Sequence, residues 1–189
     1  MILAICGSGR TGGNGARLLA AAAEGACGEA GQDAAFRNLA SLEFRGCTGC
    51  GACRREASAC VLADELTPVL HATASAPALF LATPIYYGYA SGLFKSYLDR
   101  WYAFRDGNRT LRLPAGRPAV LVVTQGHPDP EAYRWTLDSL ERVLSSYGFR
   151  VSRLVAAGLE GPGEAARRPD LLDRARQLGA AAARETRAD

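Results

Sequence analysis

The sequence predicts an α/β protein with a doubly wound, five-stranded parallel sheet and helices on both faces. Two observations support this. Short apolar runs alternate along the chain with longer segments in which apolar residues recur at helical spacing. The short runs are almost continuously apolar, as expected for strands that are buried on both faces. Because the 189 residues contain no internal repeat or linker, we expect residues 1–189 to form a single domain.

The first half of the chain begins with a strand at 1–6, a Gly-rich loop and a helix. This helix is indicated by apolar residues at helical spacing: Leu18, Leu19, Ala22, Ala23, Ala26 and Cys27. A less pronounced strand follows at 34–39. After a loop rich in Gly, Arg and Ser, a helix is expected to begin at Asp64 or Thr67, because Thr67 and Pro68 suit the cap and first turn of a helix.

The second half continues the alternation. Strands are predicted at 77–82, 118–124 and 151–156, each a short apolar run. Between the first two strands, a strongly amphipathic helix is indicated by Leu93, Phe94, Tyr97, Leu98 and Trp101. Further helices are indicated by two other sets of apolar residues, namely Tyr133, Leu137, Leu140, Val143, Leu144 and Tyr147, and then Leu171, Leu172 and Leu178.

The loop at 7–14, which we call the phosphate loop, lies between the first strand and the first helix. It fits Gly-x-Gly-x-x-Gly formally, but no acidic residue closes the second strand to hold a ribose, and no Gly-Lys-Ser/Thr of a Walker loop occurs. The loop amides and the helix N-terminus suit a terminal phosphate. The side chains expected to join them are those of Ser8, Arg10, Thr11 and Asn14. A simple Gly-rich turn is the alternative.

Two more loops are expected at the same edge of the sheet, where the carboxyl ends of the strands meet. Residues 83–91 include Tyr86 and Tyr87, which can pack a flat ring or can cap the core. Because these residues are expected beside the phosphate loop, we favour the packing of a flat ring, and this indicates a flat, phosphorylated cofactor. The third loop, at 124–129, contains His127, to which we assign no role.

Four cysteines lie within fourteen residues: Cys47, Cys50, Cys53 and Cys60. They fall in a Cys-rich loop at about 46–61, which we call the cysteine segment. The C-x2-C-x2-C spacing brings three sulfurs to one point and suits a metal ion, an iron–sulfur cluster or a redox-active set of thiols. Zinc is the less suitable metal, because its sites usually use paired knuckles that are further apart.

Composition limits the classes of partner. The net charge is +3 with no basic run, so no nucleic acid partner is expected. No stretch is long enough to span a membrane and no secretory signal is recognised, so we expect a cytoplasmic protein that makes no membrane contact. Thiols stay reduced in the cytoplasm, which favours metal binding or catalysis over disulfides. Cys6 and Cys27 are expected to be buried structural thiols.

Three segments together resemble the NADPH-dependent FMN reductase group of flavodoxin-like proteins. They are Gly-Ser-x-Arg-x-x-Gly-Asn at 7–14, Pro-Ile-Tyr-Tyr-Gly at 84–88 and Ser-Gly-Leu-Phe-Lys-x-Tyr-Leu-Asp-Arg at 91–100. The resemblance implies a flavodoxin-like fold and bound FMN. The implied FMN-binding residues are Ser8, Arg10, Thr11, Gly12, Asn14, Gly15, Pro84, Ile85, Tyr86, Tyr87, Gly88, Thr124, Gln125 and Gly126. The group often has Pro in place of Gly9 and Thr in place of Gly15.

The implied activity is electron transfer from NAD(P)H through FMN to a small acceptor such as a quinone, a flavin, a nitroaromatic compound or a metal ion. No side chain is assigned as catalytic, because the cofactor carries the chemistry. The cysteine run resembles that of iron–sulfur flavoproteins, in which a [4Fe-4S] cluster exchanges electrons with FMN and a ferredoxin-like partner. A thiol loop that binds no cluster is the alternative, since reductases of this group also carry similar cysteine runs. The resemblance also implies a homodimer or homotetramer. A thiol-based redox switch without flavin is a further alternative.

Overall fold

A mostly parallel sheet forms the centre of the fold. The computed structural model describes residues 1–55 and 59–186. Within them the strands are β1 (Ile2–Cys6), β2 (Ala34–Asn38), β3 (Leu79–Tyr86), β4 (Tyr89–Ala90), β5 (Pro118–Thr124) and β6 (Arg150–Ala156). The order is β2-β1-β3-β5-β6, all parallel, and β4 pairs antiparallel with β3. The predicted doubly wound, flavodoxin-like class is therefore confirmed, with one short strand more than the five expected.

Helices cover both faces of this sheet. They are α1 (Asn14–Ala30), α2 (Ala52–Arg55), α3 (Leu66–Ser75), α4 (Gly92–Arg100), α5 (Arg134–Ser146) and α6 (Pro169–Glu185). Alternate strand residues point to opposite faces, so Ala4 and Phe80 pack with α1 and α6, whereas Ile5 and Leu81 pack with α3, α4 and α5. In the described part of the chain, no helix combines the length and apolar character needed to cross a bilayer.

Helices α1 and α6 cross at unusually close range through two glycines. A Cβ atom on Gly179 would lie 1.8 Å from the carbonyl oxygen of Ala22, and one on Gly25 would lie 2.0 Å from that of Arg176. Only a residue without a side chain fits at either position. The close contact buries the alanine-rich face of α1, including Ala22 and Ala26.

The end of β3 and the residues that follow it differ from the sequence prediction. β3 continues past the expected end at residue 82 and forms a hairpin with β4, where a loop was predicted. The turn consists of Tyr87 and Gly88, both with positive φ, of 51° and 83°. Two such residues match the tight turn that right-twisted hairpins prefer. Tyr-Gly is not a common pair for this turn, which explains why the sequence pattern did not indicate it.

Helix α3 begins at Leu66, between the two starts that the sequence suggested. The Asp64 carboxylate accepts a hydrogen bond from the Leu66 amide at 3.2 Å, whereas the Thr67 hydroxyl donates to the Leu62 carbonyl oxygen at 2.8 Å. Thr67 is therefore not the N-cap. Pro68 lies in the first turn, where its missing N–H leaves no helical bond unmade.

The two cysteines outside the cysteine segment have different environments. Cys6 is buried in β1, as predicted, and burial raises its thiol pKa. The prediction for Cys27 is wrong, because its side chain is exposed. The buried stripe of α1 follows Leu18, Ala22 and Ala26, and Cys27 lies one residue beyond it, turned toward solvent.

Candidate functional site

A cleft opens at the carboxyl edge of the sheet. Its lining comes from the loop after β1 and the start of α1, from the carboxyl ends of β3 and β5, and from the loops after β5 and β6: Ser8, Arg10, Gly13, Asn14, Gly15, Pro84, Ile85, Tyr86, Thr124, Gln125, Gly126, Leu159 and Glu160. The structure thus brings together most of the residues that the sequence singled out. Thr11, Gly12, Tyr87 and Gly88 do not line the cleft.

The N-terminus of α1 opens into this cleft, and no described side chain caps it. Its N-cap is Gly13, no described side chain bonds to the first amides, and the first turn contains no acidic residue. The free N–H groups and the helix dipole of this 17-residue helix therefore give the cleft a positive end. Arg10, which is exposed at the rim, adds a full positive charge.

Two glycines, one in the phosphate loop and one in the first turn of α1, allow close packing beside the cleft. A Cβ atom on Gly7 would lie 2.6 Å from the Phe94 Cβ atom, so the loop lies directly against α4. A Cβ atom on Gly15 would lie 3.2 Å from that of Ala82. A side chain at position 15, where the resemblance suggested a threonine, would require α1 or β3 to move by a few tenths of an ångström.

Ser91 fixes the phosphate loop to the start of α4. Its hydroxyl donates to the carbonyl oxygen of Gly7 and accepts a hydrogen bond from the Phe94 amide at 3.1 Å. Ser91 is therefore the N-cap of α4 and, at the same time, a tertiary link to the loop after β1. Both interactions are buried.

The side chains of Ser8 and Asn14 face different partners. The buried Ser8 hydroxyl accepts a hydrogen bond from the Arg10 amide at 3.1 Å and lines the cleft. The Asn14 amide group donates to the Gly161 carbonyl oxygen at 2.9 Å and accepts from the Ala165 amide at 3.0 Å. Asn14 thus ties α1 to the loop after β6, and its contact with a phosphate stays a prediction.

Gln125 presents an unused acceptor in the cleft. Its side-chain N–H groups donate to the carbonyl oxygens of His127 and Asp129, at 3.2 and 2.7 Å. Its Oε1 atom is buried and has no hydrogen-bond partner among the described residues. A buried acceptor without a donor is costly, so the cleft is suited to a ligand that supplies an N–H or O–H group.

The aromatic residues beside the cleft are exposed. Tyr86 and Trp135 are each about half exposed and Tyr87 is fully exposed. Trp135 packs edge-on against Tyr89, with ring centroids 4.7 Å apart. Tyr86 and Tyr87 were predicted to act together, but only Tyr86 lines the cleft. Tyr87 lies in the hairpin turn, which directs it away from the cleft.

Leu159 and Glu160 in the cleft were missed by the sequence prediction. They belong to the loop after β6, whose Gly- and Pro-rich sequence at 158–163 is a recognisable turn signal. Because β6 is parallel to the other strands, this loop had to reach the same edge of the sheet. Counting it as a fourth loop would have identified these residues.

A second cavity contains all four clustered cysteines. It is lined by Cys47, Thr48, Cys50, Gly51, Cys53, Cys60, Val61, Leu62, Arg100, Tyr102 and Ala103, and we call it the thiol cavity. Part of the cysteine segment is helical, since α2 contains Cys53, where only a loop was predicted. Residues 56–58 lie outside the described residues. Gly49 and Gly51, each with φ of 69°, allow the backbone to curl around the cavity.

The thiols of this cavity influence one another electrostatically. Burial raises the pKa of Cys53, and so do the charges of Cys60, Cys47 and Cys50, in that order. The pKa of Cys50 is lowered, first by a hydrogen bond from the Ala52 amide and then by one from the Thr48 hydroxyl. The Cys47 Sγ atom accepts a hydrogen bond from the Gly49 amide at 3.5 Å. All six cysteines of the chain are free thiols.

The family model for NADPH-dependent FMN reductases matches residues 1–157, which include every strand and the first three loops of the cleft. This chain belongs to that family. The match extends over the phosphate loop, the hairpin and the cysteine segment, and it confirms the resemblance seen in the sequence.

Curated relatives and solved structures agree with this family. An iron–sulfur flavoprotein of Archaeoglobus fulgidus is 30% identical over 177 residues, covering 93% of this chain and 75% of the relative. One from Methanocaldococcus jannaschii is 32% identical over 119 residues, covering 63% of this chain and 61% of the relative. A flavone reductase structure superposes with a TM-score of 0.74 at 20% identity, covering 98% of this chain and 62% of that one. This chain thus spans about three fifths of the length of the latter two proteins.

The cleft of this family member fits FMN. An uncapped helix N-terminus is suited to the phosphate, and the unpaired Gln125 Oε1 atom calls for a donor such as a ring N–H of a flavin. Pro84, Ile85 and Tyr86 supply an apolar wall. The thiol cavity contains four cysteine side chains, the donor type that iron–sulfur clusters use. The Gly49 N–H group is directed at the Cys47 sulfur. Among the described residues, however, no three His, Cys, Asp or Glu side chains are arranged as ligands of one metal ion.

Proposed function

We propose that this chain is an FMN-dependent oxidoreductase that moves electrons from NAD(P)H through FMN to a small acceptor, such as a quinone, a free flavin, a nitroaromatic compound or a metal ion. The observation that carries the proposal is the uncapped N-terminus of α1 at the end of a cleft whose loops match the family. FMN, when bound, supplies hydride acceptance and electron release.

In this proposal, the residues of the chain bind FMN and orient it. Ser8, Arg10 and the first amides of α1 hold the phosphate, because they form the positive end of the cleft. The wall at Pro84–Tyr86 and the Gln125 amide hold the ring system. No side chain is needed as an acid or a base, since the hydride enters at the flavin.

Absorption spectroscopy of anaerobically purified protein tests this proposal. We expect flavin bands, stoichiometric release of FMN on acid denaturation, and bleaching of the bands when NADPH or NADH is added without oxygen. The two donors are compared by their bleaching rates in stopped flow. A colourless protein that does not bind added FMN would contradict the proposal.

A second function is favoured by the thiol cavity. We propose that Cys47, Cys50, Cys53 and Cys60 hold a [4Fe-4S] cluster that exchanges single electrons with FMN and a ferredoxin-like protein. The common lining of one cavity by all four thiols supports this, as do the names of the two curated relatives. Iron and acid-labile sulfide, together with a visible shoulder that dithionite bleaches, are the expected signs. Zinc without sulfide would identify the other metal, and a metal-free protein would leave the flavin function alone.

The domain organisation, the cellular location and the oligomeric state form part of the same proposal. We infer that residues 1–189 act as one domain, since β1 and β6 belong to one sheet and α6 packs on α1. We infer a cytoplasmic homodimer or homotetramer, supported by the exposed aromatic residues Tyr87, Tyr89 and Trp135 beside the cleft. Light scattering of the purified protein measures the number of subunits.

A further inference from the structure

Arg100, the last residue of α4, is buried beside the cysteine segment. Its Nη1 atom donates to the Arg45 carbonyl oxygen at 2.9 Å and to Asp64 Oδ2 at 2.8 Å. Its Nη2 atom donates to the Leu62 carbonyl oxygen at 3.1 Å and to Asp64 Oδ1 at 3.3 Å. Arg45 precedes Cys47 by two residues, and Leu62 follows Cys60 by two. One guanidinium group therefore holds both ends of the cysteine segment.

Asp64 completes this connection. We call the contacts of Arg100 and Asp64 with each other and with the backbone of Arg45 and Leu62 the clasp. Its Oδ2 atom also accepts a hydrogen bond from the Arg45 amide at 3.2 Å. Burial acts to raise the pKa of Asp64, but the hydrogen bonds from Arg100 and Arg45 outweigh it, and the pKa is lowered. Burial likewise acts against the charge of Arg100, yet Asp64 and the nearby Cys60 keep its pKa raised. Both groups of the clasp are therefore charged.

One donor of Arg100 is not used by the clasp. Its Nε atom is buried and has no hydrogen-bond partner within residues 1–55 and 59–186. Arg100 lines the thiol cavity together with all four cysteines. The residue with this buried N–H and a full positive charge thus lines a site whose thiolates are negatively charged when they bind a cluster.

We propose that Arg100 is the positioning residue of the thiol site. Through the clasp it holds the two flanks of the cysteine segment beside the thiol cavity before anything binds, and its remaining N–H and charge stabilise the sulfur ligands of the loaded site. The inference rests on the proposed binding of a cluster by the four thiolates. It assigns the C-terminal end of α4 a function separate from the flavin cleft.

Two substitutions of Arg100 and one matched control distinguish the effect of its contacts from the effect of its charge. Arg100→Gln removes the charge and most of the donors, whereas Arg100→Lys keeps the charge and loses the forked contact. Arg117→Gln is the control, because Arg117 is also buried and lines no part of the thiol cavity. It donates to four backbone carbonyl oxygens, those of Thr73, Ala74, Ala76 and Pro114. Thermal unfolding shows whether each variant is folded.

The first readout is the reduction potential of the reconstituted cluster, followed by EPR. Removing a positive charge disfavours the reduced, more negative cluster. For Arg100→Gln we expect about a tenfold shift toward the oxidised form, which corresponds to about 59 mV for one electron. Arg100→Lys should keep the wild-type potential but lose iron faster, and Arg117→Gln should change neither property.

The second readout is Co²⁺ binding by the cluster-free protein, measured by its thiolate absorption bands. We expect Arg100→Gln to weaken Co²⁺ binding at least tenfold, while Arg117→Gln binds as the wild type does. Equal Co²⁺ affinity and equal potential in Arg100→Gln and the wild type would overturn the role of Arg100 alone. If Arg100→Gln does not fold, wild-type iron retention in Arg100→Lys overturns it instead. A wild type that takes up neither cluster nor Co²⁺ contradicts the thiol site itself, and the flavin cleft is unaffected by that result.

Discussion

At the scale of single residues, the phosphate loop shows which parts of a site can be inferred from residue types. Ser8 and Arg10 line the cleft as predicted, because a strand followed by a Gly-rich turn places them at the sheet edge. The tertiary bonds of Asn14 to the loop after β6 could not be predicted, since they join residues 147 and 151 positions apart. Sequence spacing carries no information on such a pairing.

The Ser8 hydroxyl is expected to contribute to FMN affinity. A hydrogen bond to a charged group contributes about 1.5–3 kcal/mol, so Ser8→Ala should raise the FMN dissociation constant roughly ten- to a hundredfold. Fluorescence titration of flavin-free protein measures this. Ser75→Ala, which removes an exposed hydroxyl bonded only within α3, serves as the control and should leave the affinity unchanged. Equal affinities in the two variants would exclude Ser8 as a phosphate ligand.

At the scale of elements, the strands buried on both faces were the most predictable. β5 was expected at 118–124 and is found there, because an unbroken apolar run has no other stable placement in an α/β protein. The hairpin after β3 and the short α2 were not predicted. Both depend on backbone conformations, at Tyr87 and at Gly51, that tertiary contacts select and residue type only permits.

The crossing of α1 and α6 gives a prediction on stability. Gly179→Ala would place a methyl group against the Ala22 carbonyl oxygen and push the two helices apart. Overpacking of this kind costs about 1–3 kcal/mol in unfolding free energy, which urea denaturation measures. Gly28→Ala is the matched control on α1, where no atom lies within 4 Å of the added methyl group. That variant should gain roughly 0.5–1 kcal/mol from helix propensity. Equal stabilities would show that the helices separate without cost.

At the scale of the whole molecule, the order of the sheet follows from the sequence once the strands are known. Parallel strands joined by helices must use right-handed crossovers, so helices on both faces require the chain to reverse its direction of winding beside β1. This reversal places the cleft. The position of the thiol cavity follows from no such rule, because the ends of the cysteine segment are bonded to Arg100, a residue distant in sequence.

The stability of the whole protein should decrease in acid through the clasp. The pKa of Asp64 is lowered from its usual 3.8 in the folded state, so its contribution is present above that pH and is lost as the pH falls through the lower, folded-state value. Urea unfolding at a series of pH values measures the slope. In Asp64→Asn the acid slope should be smaller, and stability near neutral pH should fall by about 3–5 kcal/mol, because Arg100 is left charged and buried. Asp170→Asn, which alters an exposed pair with Arg168, should resemble the wild type near neutral pH. An unchanged acid slope in Asp64→Asn would contradict the assignment.

Helix α4 has a consequence for how the two proposed sites influence each other. Its first turn is bonded to Gly7 through Ser91, and its last residue is Arg100 of the clasp. Nine helical residues, about 14 Å of rigid rod, therefore join the phosphate loop to the cysteine segment. If this rod couples its two ends, thermodynamic linkage makes the effect reciprocal: the factor by which a filled thiol site alters FMN affinity equals the factor by which bound FMN alters the affinity of the thiols for their ligand.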